Sequence, residues 1–384
     1  MSNRFFSYHN TACGLVAAYR KEMPLQHFLK QYFSRNKKHG SKDRRWISHF
    51  CYAFYRLGKS LPGMETEQRL KVAAYLCTED IEQFGSYLPD DWLKSEVLDE
   101  KIQCIQNQFG FRLEDIFPFP ELLMPEIDPP TFSKSFLRQP DVFLRIRPGR
   151  ESVVVHGLEK ANMPFDRIGK DAIRIKDRVA VAQMLQTNKD VVVQDLDSQL
   201  VATLFPGTEV RSIWDCCAGS GGKTILARDR YPKAKIVASD IRASILQNHK
   251  KRMQEAGVNV QKYWVQDLLQ PVEGLKEQFD MVVCDTPCSG SGTWARTPEE
   301  MFFFEKGTLP STVALQSAIV DRVVGHLKEG GYLLYITCSL FGKENDDVVN
   351  QAMEAWPLSI EKKAVLNGLG CNADTLYACL LKKG

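Results

Sequence analysis

The chain has 384 residues, of which 44% are apolar and 25% are charged, a composition typical of globular proteins. A chain of this length usually folds into two or three domains rather than around one hydrophobic core. Its mean hydropathy is −0.27, and it contains no run of about 18 apolar residues, which a transmembrane helix would need. The N-terminus has neither the apolar segment nor the cleavage context of a signal peptide.

The 11 cysteines are scattered along the chain, and no two of them form a Cys-x-x-Cys pair. Neither a disulfide framework nor a structural zinc site is therefore expected. These features predict a cytoplasmic protein with reduced thiols, no bound metal and no membrane association. We expect a monomer.

Positive and negative charges are segregated in the first third of the chain. Residues 1–60 contain 12 Lys and Arg against 2 Asp and Glu, whereas residues 61–130 contain 5 against 15. The basic residues concentrate between positions 35 and 45, beside Tyr32, Phe33 and Trp46. Such a stretch suits contact with a nucleic-acid backbone, and a solvated loop between two helices is the alternative explanation.

Residues 8–107 predict helices, because apolar residues recur at spacings of three and four. The segment Phe117–Pro130 contains five prolines and predicts a linker. Beyond it, Val142–Arg147 and Ser152–Val155 predict strands and Gly157–Asn162 predicts a short helix. Residues 131–200 are therefore interpreted as a small α+β module.

From residue 201 onward, strands and helices alternate, which predicts an α/β domain with a parallel, doubly wound sheet. The candidate strands are Ser212–Trp214, Lys235–Ser239, Tyr263–Val265, Asp280–Cys284 and Tyr332–Thr337, and the clearest helix is Ser311–Leu327. The predicted domains are thus a helical domain over residues 1–125, the small module over 131–200 and the α/β domain over 201–384.

A glycine-rich loop joins the first strand of this domain to a helix, within Trp214–Thr224. Such glycines allow close backbone approach to a ligand and leave helix N-terminal amides free. The phosphate-binding loop pattern requires glycine where Cys217 stands, and Gly219, Gly221 and Gly222 do not complete the dinucleotide-binding pattern. S-adenosyl-L-methionine is the third candidate ligand.

Three carboxylates favour that candidate. Asp215, Asp240 and Asp267 follow or end three successive predicted strands. S-adenosyl-L-methionine presents a cationic sulfonium and amino group, two ribose hydroxyls and an adenine amino group, all of which pair well with carboxylates. Because an aspartate at a strand end also commonly caps a helix, the three together carry more weight than any one. The sequence therefore predicts an S-adenosyl-L-methionine site.

Two cysteines follow the fourth and fifth predicted strands, in Asp285-Thr-Pro-Cys288 and Thr337-Cys338-Ser339. Ligands of doubly wound sheets bind beyond the carboxyl ends of the strands, so these thiols are expected near the methyl donor. Carbon 5 of a pyrimidine becomes nucleophilic when a thiolate adds to carbon 6, and the thiol needs local help to ionise at neutral pH. Burial as a small apolar residue is the alternative for a cysteine, and it suits Cys51, Cys77 and Cys104 better.

With these motifs, the sequence resembles the RNA cytosine carbon-5 methyltransferases of the Nop/Sun type. Asp215–Thr224 resembles the family loop D-x-C-A-A-P-G-G-K-T, with Gly219 and Ser220 in place of alanine and proline. Asp285–Pro298 is similar to the family motif D-A-P-C-S-G-x-G-x-x-R-R-x-P, apart from Thr286 and Ala295, and Thr337–Asn345 matches T-C-S-x-x-x-x-E-N in full. The resemblance covers roughly residues 138–345.

The resemblance implies a role for each motif residue. Cys338 would be the nucleophile, Cys288 would assist release of the methylated product, and Asp285 would contact the base and the cofactor. The implied contacts of S-adenosyl-L-methionine are Cys217, Ala218, Gly219, Ser220, Gly221, Gly222, Lys223, Asp240, Asp267 and Asp285.

The helical N-terminal region is similar to the NusB-like RNA-binding domain of the bacterial enzyme that methylates small-subunit ribosomal RNA. Residues 40–45 and 54–58 carry this weaker similarity. Together, the two similarities imply S-adenosyl-L-methionine-dependent methylation of carbon 5 of a cytosine in RNA, most simply 16S ribosomal RNA. Transfer RNA as the substrate, and a non-catalytic RNA-binding or ribosome-assembly role, remain as alternatives.

Overall fold

The computed structural model describes residues 4–176, 181–272, 275 and 277–384, so residues 177–180 of the predicted small module lie outside the described part. Its helices are α1 (Arg4–Ala18), α2 (Leu25–Arg35), α3 (Ser41–Arg56), α4 (Thr66–Cys77), α5 (Leu98–Phe109), α6 (Pro129–Ser135), α7 (Glu151–Lys160), α8 (Val181–Met184), α9 (Leu196–Leu200), α10 (Gly222–Arg230), α11 (Ala243–Ala256), α12 (Pro298–Phe302), α13 (Leu309–Val324) and α14 (Asp346–Ala355). Its strands are β1 (Val142–Ile146), β2 (Phe165–Ile168), β3 (Ala172–Ile175), β4 (Val191–Val193), β5 (Ser212–Asp215), β6 (Lys235–Asp240), β7 (Lys262–Val265), β8 (Phe279–Asp285), β9 (Leu327–Thr337), β10 (Leu358–Asn367) and β11 (Thr375–Lys383).

The chain forms two compact units. Unit 1 comprises Met1–Pro140 and Thr293–Glu305, and unit 2 comprises Asp141–Gly292 and Lys306–Gly384. The four-stranded and seven-stranded sheets both belong to unit 2. The division into three domains ending at residues 125, 200 and 384 stays a prediction.

The described part of unit 1 consists of helices, turns and irregular segments, and α3 shows why the sequence folds this way. Ile47, Phe50, Cys51 and Phe54 recur at helical spacing and lie in the core. The aromatic residues near the basic stretch differ in burial, although the sequence suggests that all of them could contact a nucleic acid. Phe33 and Trp46 are core residues, while Tyr32 is half-buried.

The proline-rich segment Phe117–Pro130 is packed rather than an exposed linker. The side chains of Phe117, Met124 and Ile127 retain at most 4% of their exposure. Proline ends regular helices without preventing the apolar residues between the prolines from entering a core. Unit 1 accordingly continues to Pro140.

The small sheet of unit 2 has the strand order β2-β3-β1-β4, with antiparallel neighbours. Helix α7 packs against it through Val154 and Leu158, which are fully buried and lie one helical turn apart. The strand predicted over Ser152–Val155 is therefore wrong. Its β-branched residues favour a strand locally, but tertiary packing selects a helix, because that conformation places these two residues on one face.

The large sheet has the order β10-β11-β9-β8-β5-β6-β7. Neighbouring strands from β7 to β9 are parallel, whereas β11 is antiparallel to both β9 and β10. The predicted doubly wound α/β fold is thereby confirmed. The chain continues from β5 to one side and returns to the other side at β8, so the carboxyl ends of β5 and β8 form the switch point, where such sheets bind ligands.

Among the described residues, none of the helices combines the length and the apolar character needed to cross a membrane.

Candidate active site

The glycine-rich loop turns the chain from β5 into α10. Gly219 and Gly221 have φ angles of 50° and 90°, which residues with a side chain rarely adopt. A Cβ atom at Gly221 would lie 2.6 Å from Met253 Cε and 2.9 Å from His249 Cδ2, so α11 leaves no room for one. At Gly219, a Cβ atom would meet only the carbonyl oxygen of Cys217, at 3.9 Å, which shows that this side of the loop is open.

A buried polar network supports the loop from behind. Thr224 Oγ1 donates to Asp215 Oδ2 at 2.5 Å and lies 2.9 Å from His249 Nε2. Burial raises the pKa of Asp215 to about 7 and lowers the pKa of His249 to about 4. His249 is therefore neutral at pH 7, and because the threonine hydroxyl donates to Asp215, it accepts the Nε2 proton of His249. The sequence analysis did not identify His249, since a single histidine on a helix carries no motif.

Asp240, at the end of β6, also holds the loop in place. It accepts the backbone N–H of Gly219 at 3.0 Å and forms an ion pair with Arg242, whose Nε lies 3.0 Å from Asp240 Oδ1. Burial opposes ionisation of Asp240, but these hydrogen bonds leave its pKa below the ordinary value. Asp267, two residues beyond β7, is half-buried and accepts the N–H of Leu269 at 2.9 Å. The predicted carboxylates therefore follow three adjacent strands at one edge of the sheet.

Lys223 connects the loop to the first cysteine motif. Its Nζ lies 3.2 Å from Asp285 Oδ2 and donates to Ser198 Oγ at 2.8 Å. The lysine side chain is 10% exposed and that of Asp285 is 32% exposed, so the carboxylate keeps an accessible face. Because the loop and β8 are adjacent at the switch point, the two predicted site residues are brought into direct contact.

The two motif cysteines are in contact, with 3.2 Å between Cys288 Sγ and Cys338 Sγ. The hydrogen bond between the sulfurs, together with burial, raises the pKa of Cys288 well above that of a free thiol. Cys288 therefore keeps its proton at neutral pH, while its sulfur shares a hydrogen bond with that of Cys338.

Glu344 fastens the two cysteine motifs to each other. It is fully buried, and its carboxylate accepts the Ser289 N–H at 2.7 Å and the hydroxyls of Ser289 and Ser339. Asn345 Nδ2 donates to the carbonyl oxygen of Ser339 at 2.9 Å, and its Oδ1 accepts from Thr337 Oγ1. The sequence analysis assigned no role to Glu344 or Asn345, although their place in the second motif was the available signal.

A close backbone approach completes this arrangement at Gly292. Its N–H donates to the carbonyl oxygen of Cys338 at 2.9 Å. A Cβ atom at this position would lie 1.9 Å from the carbonyl oxygen of Thr375. Glycine is therefore required where the first motif passes between the Cys338 loop and β11.

Arg252, on α11, bridges the loop and the small sheet. Its Nη1 donates to Ser220 Oγ at 3.1 Å, and its Nε donates to Asn188 Oδ1 at 2.8 Å. Asn188 has a φ of 70° and lies in the turn before β4. Ser220 occupies the position at which the Nop/Sun loop has proline. The hydrogen bond from Arg252 thus restricts the loop at Ser220, where a proline ring would restrict the backbone in the family loop. This contact was not predicted from the sequence, because no short motif contains both residues.

The residues at this edge fit S-adenosyl-L-methionine. The open side of the loop at Gly219 leaves space for a ligand, and the carboxylates of Asp240, Asp267 and Asp285 match its amino and hydroxyl groups. Cys217, Ala218, Ser220 and Gly222 form the rest of the loop. Across the described part of the chain, no three His, Cys, Asp or Glu side chains group as metal ligands.

The chain is similar to known ribosomal RNA methyltransferases over part of its length. Residues 201–370 match the family described as 16S rRNA methyltransferase RsmB/F. The ribosomal RNA small subunit methyltransferase B of Pasteurella multocida is 31% identical over 220 residues, which cover 54% of this chain and 48% of that protein. The probable ribosomal RNA small subunit methyltransferase B of Synechocystis is 28% identical over 272 residues, which cover 67% of this chain and 61% of that protein.

The chain spans about half the length of the first curated relatives that it matches. In the solved structure of the protein PH0851, the match covers 100% of this chain and 99% of that one, with a TM-score of 0.72 at 18% identity, so the two share a fold. Residues 201–370 are therefore similar to the methyltransferases of the RsmB/F family, and S-adenosyl-L-methionine is the cofactor of this part of the chain.

Proposed function

We propose that this protein methylates carbon 5 of a cytosine in RNA, with small-subunit (16S) ribosomal RNA as the substrate. The observation that carries the proposal is the contact between Cys288 and Cys338, beside Asp285, at the edge where the glycine-rich loop opens. Two thiols in contact at a methyl-donor site suit a reaction that must activate an unreactive ring carbon. The names of the RsmB/F relatives support ribosomal RNA as the substrate class.

Cys338 acts as the nucleophile. Its thiolate forms a bond to carbon 6 of the cytosine, and the ring electrons move so that carbon 5 becomes nucleophilic toward a methyl group. Asp285, in its carboxylic acid form, donates its proton toward ring nitrogen 3, which neutralises the negative charge that thiolate addition places on the ring. Once carbon 5 is methylated, a base removes its proton, the carbon 5–carbon 6 double bond re-forms, and the bond to the Cys338 sulfur breaks.

Cys288 assists the release of the methylated product. Its sulfur lies 3.2 Å from that of Cys338, so its S–H can donate a hydrogen bond to the Cys338 sulfur when that sulfur becomes the leaving group. Glu344 holds the two thiols at this spacing by fixing Ser289 and Ser339. When bound, S-adenosyl-L-methionine supplies the electrophilic methyl group. The residues that would hold it are Cys217–Lys223, Asp240, Asp267 and Asp285.

The target cytosine must leave its stack to expose carbon 6, which costs roughly a few kcal/mol. The exposed basic residues of unit 1, including Arg35, Lys37 and Lys38, would bind the surrounding phosphates. We infer that residues 1–125 form a NusB-like RNA-binding domain and that the protein acts as a cytoplasmic monomer. The surplus of 12 Lys and Arg over 2 Asp and Glu in residues 1–60 supports the first of these inferences.

The test uses RNA that contains 5-fluorocytidine, because fluorine at carbon 5 blocks the proton-removal step and traps the protein on the RNA. The protein and S-adenosyl-L-methionine should give an adduct that survives denaturation. The adduct should be lost in Cys338→Ala and kept in Cys288→Ala, since the second variant impairs release rather than attack. An adduct that persists in Cys338→Ala would contradict the assignment.

The RNA class is tested separately by bisulfite sequencing of ribosomal and transfer RNA from a deletion strain. Loss of one 5-methylcytosine in 16S ribosomal RNA supports the proposal. Loss confined to transfer RNA would show that transfer RNA is the substrate instead. A Cys338→Ala strain with full methylation and normal ribosomes would instead support the non-catalytic role.

A further inference from the structure

Unit 1 contains a groove between α1 and α2, with a volume of about 490 Å³. It is lined by Asn10, Thr11, Gly14, Leu15 and Ala18 from α1 and by Phe28, Gln31, Tyr32, Arg35 and Asn36 from α2 and the following turn. Small side chains on the α1 wall leave the facing surface of α2 uncovered. At Gly14, an added Cβ atom would meet nothing within 4 Å.

The groove combines aromatic rings with amides and contains no carboxylate among its lining residues. The rings of Phe28 and Tyr32 are half-buried, so part of each remains available to a ligand. In the described part of the chain, the side-chain amides of Asn10 and Gln31 form no hydrogen bond with the protein. Amides donate and accept hydrogen bonds as the edges of nucleobases do, and rings supply a stacking surface for any base.

The end of the groove continues into positive charge. Arg35 lines the groove, and the chain that follows carries the exposed basic residues Lys37, Lys38, Lys42 and Arg45. Asp43 is the only carboxylate between positions 35 and 45. Its oxygens accept from Tyr8 Oη at 2.7 Å and from the Gly40 N–H at 2.9 Å, so the tyrosine and the helix start engage that charge.

We propose that this groove binds an unpaired base of single-stranded RNA, while the basic residues between 35 and 45 bind the adjoining phosphates. The inference rests on the proposed function, since it takes RNA as the substrate. It adds a base-binding subsite in unit 1 to the basic surface that the sequence indicates. The ligand class follows from the combination of rings, amides and phosphate-binding cations in one groove.

Gly14→Leu tests the groove, because an added Cβ atom meets nothing within 4 Å at this position and the rest of the leucine side chain would occupy the groove. Leucine also favours an exposed helix interior over glycine, so the melting temperature should not fall. The affinity for a fluorescein-labelled single-stranded C/U oligoribonucleotide should fall roughly tenfold, the equivalent of one lost stacked base. Ala17→Leu, at an exposed position of α1 outside the groove, is the matched control and should bind as the wild type does.

An abasic oligomer of the same length identifies what the groove contacts. The wild type should bind it about tenfold more weakly than the normal oligomer, and Gly14→Leu should then add little further loss. Equal weakening of both oligomers by Gly14→Leu would overturn base binding in the groove. Unchanged affinity of a stable Gly14→Leu protein would overturn the subsite altogether.

The 5-fluorocytidine adduct separates this inference from the proposed function. If the subsite is wrong but the function is right, wild type and Gly14→Leu form the Cys338 adduct with the same dependence on RNA concentration. If the wild type binds no single-stranded RNA and forms no adduct, the subsite and the proposed function both fail. The supporting result is an adduct in both proteins, with Gly14→Leu needing about tenfold more RNA.

Discussion

Polar groups are arranged in opposite ways in two regions of the molecule. These are the candidate active site at the carboxyl ends of the strands in unit 2 and the basic stretch over residues 35–45 in unit 1. At the candidate active site, polar side chains are wholly or partly buried, and each forms short hydrogen bonds with its own neighbours. Asp215 accepts from Thr224, Glu344 accepts from Ser289, and the two cysteines contact each other. Along residues 35–45, most of the charged side chains are exposed. Buried polar groups are costly unless they are satisfied, so they hold one geometry, whereas exposed charges attract a partner without fixing its position. Substitutions at the edge should therefore have large effects, and those in the stretch small ones.

The sharpest test of the buried side is the thiol pair. Cys338→Ala should reduce methyl transfer at least about 1,000-fold, because it removes the nucleophile itself. Cys288→Ala should be impaired mainly in turnover and keep single-round transfer, since Cys338 remains. Rapid-quench measurement of the first turnover and of the steady state distinguishes the two. Equal losses of the first-turnover rate in the two variants would contradict the assignment of Cys338 to attack and Cys288 to release.

Glu344→Gln should lower the rate of methyl transfer roughly 10- to 100-fold, because small displacements of reacting groups are expensive. The amide cannot accept all the donors that the carboxylate accepts from Ser289 and Ser339. Steady-state kinetics with saturating substrates should show the loss in kcat. Glu354→Gln, at an exposed position of α14, is the control and should behave as wild type. A comparable loss of kcat in that variant would contradict a specific role of Glu344 in positioning the cysteines.

Asp215→Asn should change how stability depends on pH. The folded chain holds a proton on Asp215 up to about pH 7, whereas the unfolded chain releases it near pH 3.9. Rising pH between these values therefore destabilises the wild type but not the variant. The variant's free energy of unfolding, relative to wild type, should increase by at most about 1.4 kcal/mol per pH unit.

Urea denaturation between pH 5 and pH 7 measures the effect of Asp215→Asn. The opposite contribution of His249, whose low pKa costs stability as pH falls from 6.5 toward 4, is present in both proteins and cancels. Asp347→Asn, at an exposed position, is the control and should show no such trend. A pH-independent difference for Asp215→Asn would contradict the raised pKa.

Asn188→Gly tests the bridge through Arg252 without disturbing the backbone, since glycine accepts the φ of 70°. The variant loses the hydrogen bonds of the Asn188 side chain to Arg252 and Glu255. S-adenosyl-L-methionine binding should weaken about three- to tenfold, less than the full value of a hydrogen bond to a charged group, because these contacts act on the ligand only through the loop. KM for the cofactor should rise while kcat stays near wild type. Asn162→Gly, at an exposed residue with a φ of 48°, is the matched control.

The smallest effect on stability is expected on the exposed side. Lys37→Gln with Lys38→Gln should change the free energy of unfolding by less than about 0.5 kcal/mol. The slope of log affinity for RNA against log salt should fall by up to about 2, for two lost phosphate contacts. Lys94→Gln with Lys170→Gln makes the same charge change at exposed positions elsewhere, and an equal loss of slope there would mean that net charge alone attracts RNA.

Much of unit 2 was predictable from the sequence, for a physical reason. Buried parallel strands are short apolar segments, and in this chain each is followed by a motif at its carboxyl end. The predicted strands therefore match β5 to β9 closely, and β8 and β9 bring Cys288 and Cys338 together. Chain order and side-chain chemistry sufficed to predict the fold, and the reaction class that the motifs suggest stays a prediction.

Only the tertiary structure decided what depends on contacts between distant residues. Val154 and Leu158 made a helix where the local sequence favours a strand, and the proline-rich Phe117–Pro130 packed into unit 1. Partners such as His249 for Thr224 lie 25 residues apart, and those such as Glu344 for Ser289 lie 55 apart. A sequence determines local preference and the order of its motifs, whereas burial and pairing follow only once the chain has folded back on itself.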